Sequence, residues 1–416
     1  MSVHAHQYEL FDAVLDEYAG NDTPIDNQSL YERLASKGFM DQDNQRIFGN
    51  SGPKRSEVKY RIRWIQQVLK QEQSIERVGP GLWQVTRNKK AELTQINAGK
   101  HLVAMSTSLG VMVWSRQQGL LDRLRIDEPI ELVFTSTPYP IVNPRAYGGY
   151  SEQELIDFIC DMLEPIRNKM VPGGNIALNL GLTHEHQSPA ESIYIERLIV
   201  ALYDRLGLKK MKTIIWQSNK NPVSSGPFAT RFKQTLLNTY EPILWFCADP
   251  DENFVDIRSI EEAHSEAHKR FVERGGVKSD KDYADGAYRR RAGDYSTLNQ
   301  GRLPRDVWNI SNYCAEGRQV NEFAQLAGLP AHAAKMPKQL AHRVVKLLSR
   351  RGGLVFDPCA GTMTIPSVCE ELGRSWVACE QFLEYIQQSF ARFSQNVWIN
   401  PALKRPVIRG SKEWPA

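Results

Sequence analysis

The sequence lacks several features that would place a protein outside the cell or in a membrane. Its six cysteines are scattered and include no Cys-x-x-Cys pair, which argues against a disulfide framework or a structural zinc site. No apolar run approaches the roughly 18 residues that span a bilayer, and residues 1–10 show no signal-peptide pattern. We therefore expect a soluble, cytoplasmic protein without membrane contact or a bound metal.

The chain as a whole also has almost no excess of positive over negative charge. Lys and Arg total 52 against 48 Asp and Glu, so the formal net charge is only +4. So small an excess does not by itself indicate a nucleic-acid partner, and such a prediction must rest on local charge. The 416 residues, 41% of them hydrophobic, are enough for two domains and too apolar for a disordered chain.

Local charge is concentrated near the N-terminus, where residues 50–90 contain ten Lys or Arg and three Glu. An apolar stripe at helical spacing passes through this segment and includes Ile62, Ile65 and Leu69. Two strand-like runs, residues 74–78 and 82–85, follow around a Gly-Pro-Gly turn. A helix, a basic helix and a hairpin in this order outline a small α+β winged helix, which we assign to residues 1–92.

The basic residues of this segment are dense enough to neutralise several DNA phosphates. The alternative is a solvated helix face on a structural domain. The segments 60–65 and 81–86 also resemble the winged-helix domain found beside Mrr-type restriction enzymes. The residues that we assign to DNA contact here are Lys54, Arg55, Lys59, Arg61 and Arg63.

From about residue 100, short apolar runs alternate with longer amphipathic ones. The predicted strands are residues 130–134, 175–180, 213–216, 242–246, 353–356 and 375–379, and the predicted helices include residues 152–170, 192–206 and 338–349. This alternation predicts an α/β domain over residues 93–416 with a mostly parallel sheet covered on both faces. Residues 250–310 break the rhythm and contain Arg289, Arg290 and Arg291.

Two strand-to-loop motifs carry the chemistry. The first reads Thr-Ser-Thr-Pro-Tyr at residues 135–139, after a buried strand. The second reads Asp-Pro-Cys-Ala-Gly-Thr-Met-Thr at residues 357–364, and Glu380 ends a strand-like run nineteen residues after Gly361. In open α/β sheets ligands bind at the carboxyl ends of strands, where small residues let a ligand approach the backbone and an acid can hold ribose hydroxyls.

Together these motifs resemble those of DNA amino-methyltransferases that use S-adenosylmethionine and place the catalytic motif before the cofactor motif. The resemblance spans about residues 100–395 and implies a Rossmann-like methyltransferase domain. Residues 306–310, followed by His332 and residues 335–337, resemble the segment that closes over the methionine part of the cofactor. The residues that the resemblance assigns to the cofactor are Thr135, Met336, Pro337, Asp357, Pro358, Ala360, Gly361, Thr362, Thr364 and Glu380.

The first motif suits methyl transfer to an exocyclic amine, whose lone pair must be aimed at a sulfonium methyl group. The Ser136 hydroxyl and the Thr137 carbonyl can accept the two amine hydrogens, while Pro138 stiffens the loop. Tyr139 can stack on a base flipped out of double-stranded DNA. Cytosine C5 methylation would need a cysteine nucleophile; Cys359 lies in the cofactor motif instead, and we interpret it as a packing residue.

Two positions depart from the family pattern. Thr137 stands where the first proline is expected, and Met363 stands where a glycine is expected. A side chain at 363 would either clash with the cofactor or require another backbone conformation. The sequence therefore leaves open a catalytically weak DNA-binding regulator on the same fold.

In the family that the motifs resemble, a serine at the position of Ser136 more often accompanies cytosine N4, so the resemblance implies cytosine N4 as the target, with adenine N6 as the alternative. We expect Arg289, Arg290 and Arg291 to contact guanine edges or phosphates in a target-recognition insertion at residues 250–310; the alternative is a solvated loop. A cognate restriction endonuclease is a possible partner. The sequence gives neither the oligomeric state nor the recognised DNA site.

Overall fold

The computed structural model describes residues 5–403 apart from residues 22, 41–44, 48–53, 72–73, 86–92, 140–149, 186–187, 219–226, 231, 284–287, 333 and 394–396. The chain divides into two compact units, Met1–Glu92 and Leu93–Ala416. Within the described residues, every helix is too short or too polar to cross a membrane.

The N-terminal unit combines helices with a small antiparallel sheet. Its elements in chain order are α1 (Ala5–Ala19), β1 (Ile25–Asp26), α2 (Asn27–Ser36), β2 (Gln45–Ile47), β3 (Lys54–Ser56), α3 (Glu57–Gln71), β4 (Ile75–Gly79) and β5 (Leu82–Val85). The hairpin of β4 and β5 turns at Gly81, whose φ is +70°. Strand β1 pairs with the outer side of β5, which gives the order β1, β5, β4.

The core of this unit lies between its helices. Helix α3 packs against this core with its buried face, which includes Ile62, Ile65 and Leu69. Beside that face the buried Gln66 amide donates to the Tyr18 hydroxyl at 2.7 Å and to the Asn27 side-chain oxygen at 2.8 Å. This polar link ties α3 to α1 and α2 and leaves the opposite face of α3 in solvent.

The C-terminal unit is larger and contains strands separated by helices. Its first elements are β6 (His101–Ser106), β7 (Gly110–Ser115), α4 (Leu120–Arg123), β8 (Ile130–Ser136), α5 (Glu152–Arg167), β9 (Met170–Asn179), α6 (Tyr194–Leu206), β10 (Lys209–Gln217), α7 (Pro227–Thr230) and β11 (Tyr240–Cys247). Then follow α8 (Glu266–Glu273), β12 (Lys281–Asp282), β13 (Arg289–Arg290), β14 (Val307–Asn309), α9 (Ala315–Leu326), α10 (Lys338–Leu348), β15 (Leu354–Asp357), α11 (Thr364–Leu372), β16 (Ser375–Glu380), α12 (Leu383–Ser389) and β17 (Trp398–Ile399). Short 3-10 helices lie at Ile257–Ile260 and Phe390–Arg392.

Among the described residues, ten strands of this unit form one sheet in the order β14, β10, β11, β9, β8, β15, β16, β7, β6, β17. The central strands β9, β8, β15, β16 and β7 run parallel. Strand β11 runs antiparallel between β9 and β10, and β6 and β17 are antiparallel at the other side. The predicted mixed, mostly parallel sheet is therefore confirmed.

Helices cover both faces of this sheet because alternate side chains of each strand point to opposite faces. In β8, Phe134 belongs to a core that includes α10 and α11, whereas Val133 belongs to a second core that includes α5 and α6. Helix α5 begins at a capping box in which Ser151 Oγ accepts from the Glu154 N–H at 3.3 Å, and the Glu154 carboxylate accepts from the Ser151 N–H at 2.8 Å.

Residues 250–310 contain more regular structure than the sequence predicted. Helix α8 begins at Ser265, whose hydroxyl accepts from the His268 N–H at 3.2 Å. Strands β12 and β13 form a small antiparallel pair. The prediction missed these elements because they are short and mostly exposed, so they carry little apolar periodicity.

Candidate active site

A cleft opens at the carboxyl ends of the parallel strands of the C-terminal unit. Strands β8, β15, β16 and β7 end at Ser136, Asp357, Glu380 and Ser115, and these four residues line it. Both sequence motifs therefore reach the same cleft, as expected for an open α/β sheet.

Most of the residues predicted for catalysis and cofactor binding line this cleft. They are Ser136, Thr137, Pro138, Tyr139, Met336, Asp357, Pro358, Ala360, Gly361, Thr362, Thr364 and Glu380. Two predicted residues lie behind it. Thr135 is fully buried in β8, and Pro337 is a buried residue that immediately precedes α10.

The turn after β15 is held by the Glu380 carboxylate. Its Oε2 accepts from the Gly361 N–H at 2.9 Å, and its Oε1 accepts from the N–H groups of Gln381 at 2.8 Å and Phe382 at 3.0 Å. Gly361 has a φ of +51°, and a Cβ there would lie 3.4 Å from His332 Nε2. The acid thus fixes a turn whose left-handed backbone conformation at Gly361 favours glycine.

Two buried carboxyl groups face this turn. Burial raises the pKa of Asp357 to about 7 and that of Glu380 to about 7. Burial disfavours the charged form of an acid and outweighs the hydrogen bonds that favour it. The cleft therefore holds two acids that change charge near neutral pH.

Met363 adopts a backbone conformation that is uncommon for a residue with a side chain. Its φ is +59° and its ψ is 42°, the left-handed region that glycine occupies readily. Its side chain is fully buried in the core beneath α10 and α11 and is not among the residues that line the cleft. At the position where the family pattern has glycine, Met363 therefore holds a left-handed conformation and buries its side chain in the protein interior.

The segment before α10 forms another wall of the cleft. The His332 ring meets the Tyr385 ring edge to face, with centroids 4.3 Å apart. Lys335 Nζ donates to the Asn321 side-chain oxygen at 2.6 Å and to the His332 carbonyl. Burial, with a smaller contribution from Arg392, lowers the pKa of Lys335 to about 8.

The loop at residues 136–139 is linked to an acid that sequence reasoning missed. Ser136 Oγ lies 3.3 Å from the Tyr139 hydroxyl, and that hydroxyl donates to Glu241 Oε2 at 3.4 Å. The Asn179 amide donates to the same oxygen at 2.8 Å. Burial raises the pKa of Glu241 to about 7. Glu241 lies near the amino end of β11, which is placed beside the carboxyl end of β9 because the two strands run antiparallel.

The end of β7 supplies further residues that the sequence did not reveal. Arg116 and Gln117 line the cleft, and buried Arg116 Nε and Gln117 Nε2 have no hydrogen-bond partner among the described residues. Recognition of residues 110–115 as a parallel strand would have placed both side chains at this edge. The signal for this strand was present in the sequence, because residues 111–114 form an apolar run that follows the break at residues 106–110.

These observations test whether the cleft fits S-adenosylmethionine. Buried donors that lack partners, Arg116 Nε and Gln117 Nε2, suit the acceptor atoms of a purine ring. The Glu380 carboxylate can accept further hydrogen bonds, and Gly361 leaves the backbone approachable. The residues present therefore fit a ligand with an adenine, a ribose and a positive charge.

Two other chemistries find little support among the described residues. Burial raises the pKa of the Cys359 thiol far above its usual range, so the thiolate nucleophile is disfavoured. No group of three or more His, Cys, Asp or Glu side chains lies close enough to hold a metal ion in the described part of the chain.

The predicted DNA-contact residues of the N-terminal unit differ in their surroundings. Arg61 donates to Glu57 Oε1 at 2.7 Å, and Lys59 Nζ lies 5.1 Å from the centre of the Tyr31 ring. Arg63 is exposed and belongs to the α3 stripe, which we define as the exposed residues Tyr60, Arg63, Gln67 and Lys70. Lys54 and Arg55 belong to β3, and their side chains lie outside the described part of the structure.

The arginines of the 250–310 segment are exposed but partly neutralised. Arg291 lies 3.0 Å from Asp282 and 3.5 Å from Asp280, and Arg289 lies 3.9 Å from Asp282. Arg290 lies over the Tyr288 ring, 5.7 Å from its centre. The described contacts thus pair two of the three arginines with acids of the same small hairpin.

Comparison with known proteins supports the motif analysis. A family model described as a DNA methylase matches residues 130–391, which is more than half of the chain. The type II methyltransferase M.PvuII of Proteus hauseri is 26% identical over 306 residues, which cover 72% of this chain and 88% of that protein. M.BglII of Bacillus subtilis is 25% identical over 264 residues, or 64% of this chain and 63% of that protein.

The fold has a solved counterpart as well. The structure of PvuII DNA methyltransferase, described as cytosine-N4-specific, superposes with a TM-score of 0.55 and 23% identity. The match covers 72% of this chain and 91% of that chain. At this level of identity the likeness shows the fold alone.

Proposed function

The chain belongs to the DNA methylase family, and from that membership we propose that it methylates N4 of cytosine within a specific DNA sequence. S-adenosylmethionine is the methyl donor. The observation that carries the proposal is that the turn at residues 136–139 and the turn at residues 357–364 line one cleft. A base held by the first turn can therefore reach a cofactor held by the second.

The residues of the catalytic loop have distinct roles in this proposal. When bound, S-adenosylmethionine supplies an electrophilic methyl group on a sulfonium. Ser136 Oγ and the Thr137 carbonyl accept the two amine hydrogens, which directs the lone pair and stabilises the positive charge that develops on nitrogen. Tyr139 stacks on the flipped base.

The cofactor-binding roles follow from the geometry of the second turn. Glu380 accepts a hydrogen bond from the ribose while it also accepts the Gly361 N–H, which holds the turn in place. Arg116 and Gln117 donate hydrogen bonds to the edge of the adenine ring. Met336 and Thr364 line the cleft beside this turn. These assignments make the raised pKa values of Asp357 and Glu380 relevant to cofactor affinity.

Cytosine N4 is favoured over adenine N6 by two observations. Residue 136 is a serine, and the relative that matches over 72% of the chain is described as cytosine-N4-specific. A neutral hydroxyl can accept a hydrogen from either amine, so adenine N6 is the alternative that the experiment must distinguish.

We assign DNA recognition to the N-terminal unit and to the small hairpin of the C-terminal unit. We propose that the N-terminal unit is a winged helix, a proposal supported by the order of its helices and strands and by the pairing of β1 with β5. In such a domain the α3 stripe is the face that enters a groove. Arg290, which stacks on an exposed tyrosine, is the hairpin residue best placed to reach DNA.

The biological setting follows from the same family. The relatives named above are type II methyltransferases, so we propose that this protein marks a DNA site in the cytoplasm and protects it from a cognate endonuclease. The regulator alternative rested partly on Met363 obstructing the cofactor, and the buried Met363 side chain removes that support.

The test is transfer of a tritiated methyl group from S-adenosylmethionine to duplex DNA. Wild type should label DNA, and Tyr139→Ala should reduce labelling at least about a hundredfold because base stacking is lost. Tyr203→Ala is the matched control, since that tyrosine is half-exposed on α6. An unlabelled wild-type reaction, or full labelling by Tyr139→Ala, would contradict the proposal.

A further inference from the structure

A hydrogen-bonded chain leads away from the catalytic loop into the protein. It begins at Ser136 Oγ, continues through the Tyr139 hydroxyl and ends at Glu241 Oε2, with steps of 3.3 Å and 3.4 Å. Ser136 and Tyr139 line the cleft, whereas Glu241 does not. The acid therefore touches the site only through the loop.

The surroundings of Glu241 are unusual for a carboxyl group. It is 8% exposed, and in the described part of the chain the two hydrogen bonds to its Oε2 come from neutral groups, the Asn179 amide and the Tyr139 hydroxyl. Burying a carboxylate among neutral groups is costly, and a glutamine could make similar contacts without that cost. A role in accepting a proton therefore explains a carboxyl group at this position better than a role in packing.

We propose that Glu241 is the final acceptor of the proton that the target amine loses during methylation. This inference rests on the proposed function. Formation of the N–CH3 bond breaks the S–CH3 bond, and the bonding electrons leave with the sulfur. The cationic amine then gives one proton to Ser136 Oγ, Ser136 gives its proton to the Tyr139 oxygen, and Tyr139 gives its proton to Glu241.

The balance of this relay is complete without any other reactant. Ser136 and Tyr139 end with the same protons that they had at the start, and Glu241 ends as a neutral acid. Exchange with solvent returns it to the carboxylate before the next turnover. Glu241 is a positioning residue in the sense that it acts through Tyr139 and Ser136.

The acid is matched to this task. A methylated exocyclic amine that still carries its extra proton is a strong acid, so a carboxylate with a pKa of about 7 accepts that proton readily. The neighbouring titratable groups do not compete for it. Tyr139 and Tyr194 are phenols, and burial raises the pKa of Tyr194 far above its usual range, with a further contribution from the charge on Glu241.

The pH dependence must be separated from that of the cofactor site. Asp357 and Glu380 also change charge near pH 7, so a wild-type profile alone does not report Glu241. The ratio of the wild-type rate to that of Glu241→Gln cancels their contribution because both proteins retain these two acids. Single-turnover rates at saturating DNA and S-adenosylmethionine are the quantity to compare.

The experiment measures this ratio between pH 5.5 and 8.5, with S-adenosylmethionine and DNA affinities measured in parallel. At pH 8.5, where wild-type Glu241 is a carboxylate, Glu241→Gln should be about tenfold to a hundredfold slower. At pH 5.5 wild-type Glu241 is already protonated, so the two rates should converge. Tyr139→Phe interrupts the same relay but keeps the stacking ring, so it should show the same convergence.

The double variant and a control complete the test. Glu241→Gln combined with Tyr139→Phe should be no slower than either single variant by more than about twofold, since both break one chain. Glu131→Gln, whose carboxylate pairs with Arg350 near the amino end of β8, should give a ratio that does not change with pH.

The outcomes separate this inference from the proposed function. A pH-independent ratio for Glu241→Gln, or additive losses in the double variant, would overturn the relay. If Glu241→Gln does not fold, a Tyr139→Phe protein with wild-type rates at every pH would overturn it equally. If wild type methylates no base, the proposed function itself fails.

Discussion

The ring of Tyr139 lies against the backbone of Gly181. A Cβ added to Gly181 would come within 3.0–3.1 Å of three atoms of that ring. The carbonyl of Gly181 also accepts a hydrogen bond from the buried Tyr194 hydroxyl at 2.5 Å, so the backbone there has little freedom to move. Glycine at 181 is therefore what allows Tyr139 to take up its position at the cleft.

Replacing Gly181 by alanine should displace the Tyr139 ring and slow methyl transfer. We expect the rate to fall about tenfold or more, because small misplacements of a catalytic group cost large factors in rate, while cofactor affinity changes less than about twofold. The φ of Gly181 lies outside the left-handed region, so alanine adds no backbone strain there. Gly79→Ala is the control, because Gly79 also lacks a positive φ and its added Cβ would make an ordinary 3.5 Å contact with Leu82. A Gly181→Ala enzyme with wild-type transfer would show that the ring is free to adjust.

Met363 should matter for stability and not for the cofactor. Met363→Gly removes backbone strain of about 1 kcal/mol but deletes a fully buried side chain, whose loss costs about 2–5 kcal/mol. Chemical denaturation should therefore show a net loss of about 2 kcal/mol, and S-adenosylmethionine affinity should stay within about twofold. Met363→Leu, which keeps most of the volume, should lose less. Much tighter cofactor binding by Met363→Gly would indicate that the methionine obstructs the cleft.

Cofactor affinity should rise with pH between about 6 and 8. Glu380 is mostly neutral below its pKa of about 7 and is a carboxylate above it. Three backbone N–H groups already donate to this carboxyl group, and only the carboxylate keeps a further acceptor site for a ribose hydroxyl, because protonation turns that site into a donor. Calorimetric titration should show affinity falling up to about tenfold per pH unit below pH 7. Glu380→Gln should bind more weakly at pH 8 and show a shallower pH dependence. A pH-independent wild-type affinity would rule out a role for the charged acid.

The free protein should show the opposite trend in stability. The pKa of Glu380 is raised from 4.5 to about 7, so the folded state binds more protons than the unfolded state between these values. Folding stability should therefore fall as pH rises from about 4.5 to 7, by an amount on the order of 3 kcal/mol for this group. Glu380→Gln should remove this part of the slope in denaturation curves recorded without cofactor.

The α3 stripe should contribute to DNA affinity through its charge. Arg63→Ala should weaken DNA binding for all sequences and reduce the slope of log affinity against log salt by about 1. Arg61→Ala should have a smaller effect because Glu57 already pairs with Arg61. Fluorescence anisotropy over a salt series measures both slopes. Equal slopes for wild type and Arg63→Ala would place the stripe away from DNA.

The sequence was most informative where one strand leads directly into a motif. The strands that end at Ser136, Asp357 and Glu380 could be predicted because each is a short apolar run followed by a polar or small-residue turn. Parallel neighbours end at the same edge, so the two motifs could be placed together before any coordinates were known.

The parts that escaped prediction depend on contacts between distant positions. Glu241 lies 102 positions from Tyr139 and 62 positions from Asn179 in the sequence. The three residues meet because β11 pairs with β9 in the antiparallel direction, which places the amino end of β11 beside Asn179. Nothing in the local sequence around Glu241 distinguishes it from a surface acid.

The pairing of Arg289 and Arg291 with acids could have been predicted, because those acids lie within eleven positions of the arginines in the sequence.

The most direct test of the account is mass spectrometry of nucleosides from the DNA of a host that lacks other amino-methyltransferases and expresses this protein. We predict N4-methylcytosine in the wild-type strain and none in a strain that expresses Tyr139→Ala. N6-methyladenine as the modified nucleoside would contradict the assignment of the target base, and DNA without any methylated amine would contradict the central claim that the two turns form one methyl-transfer site.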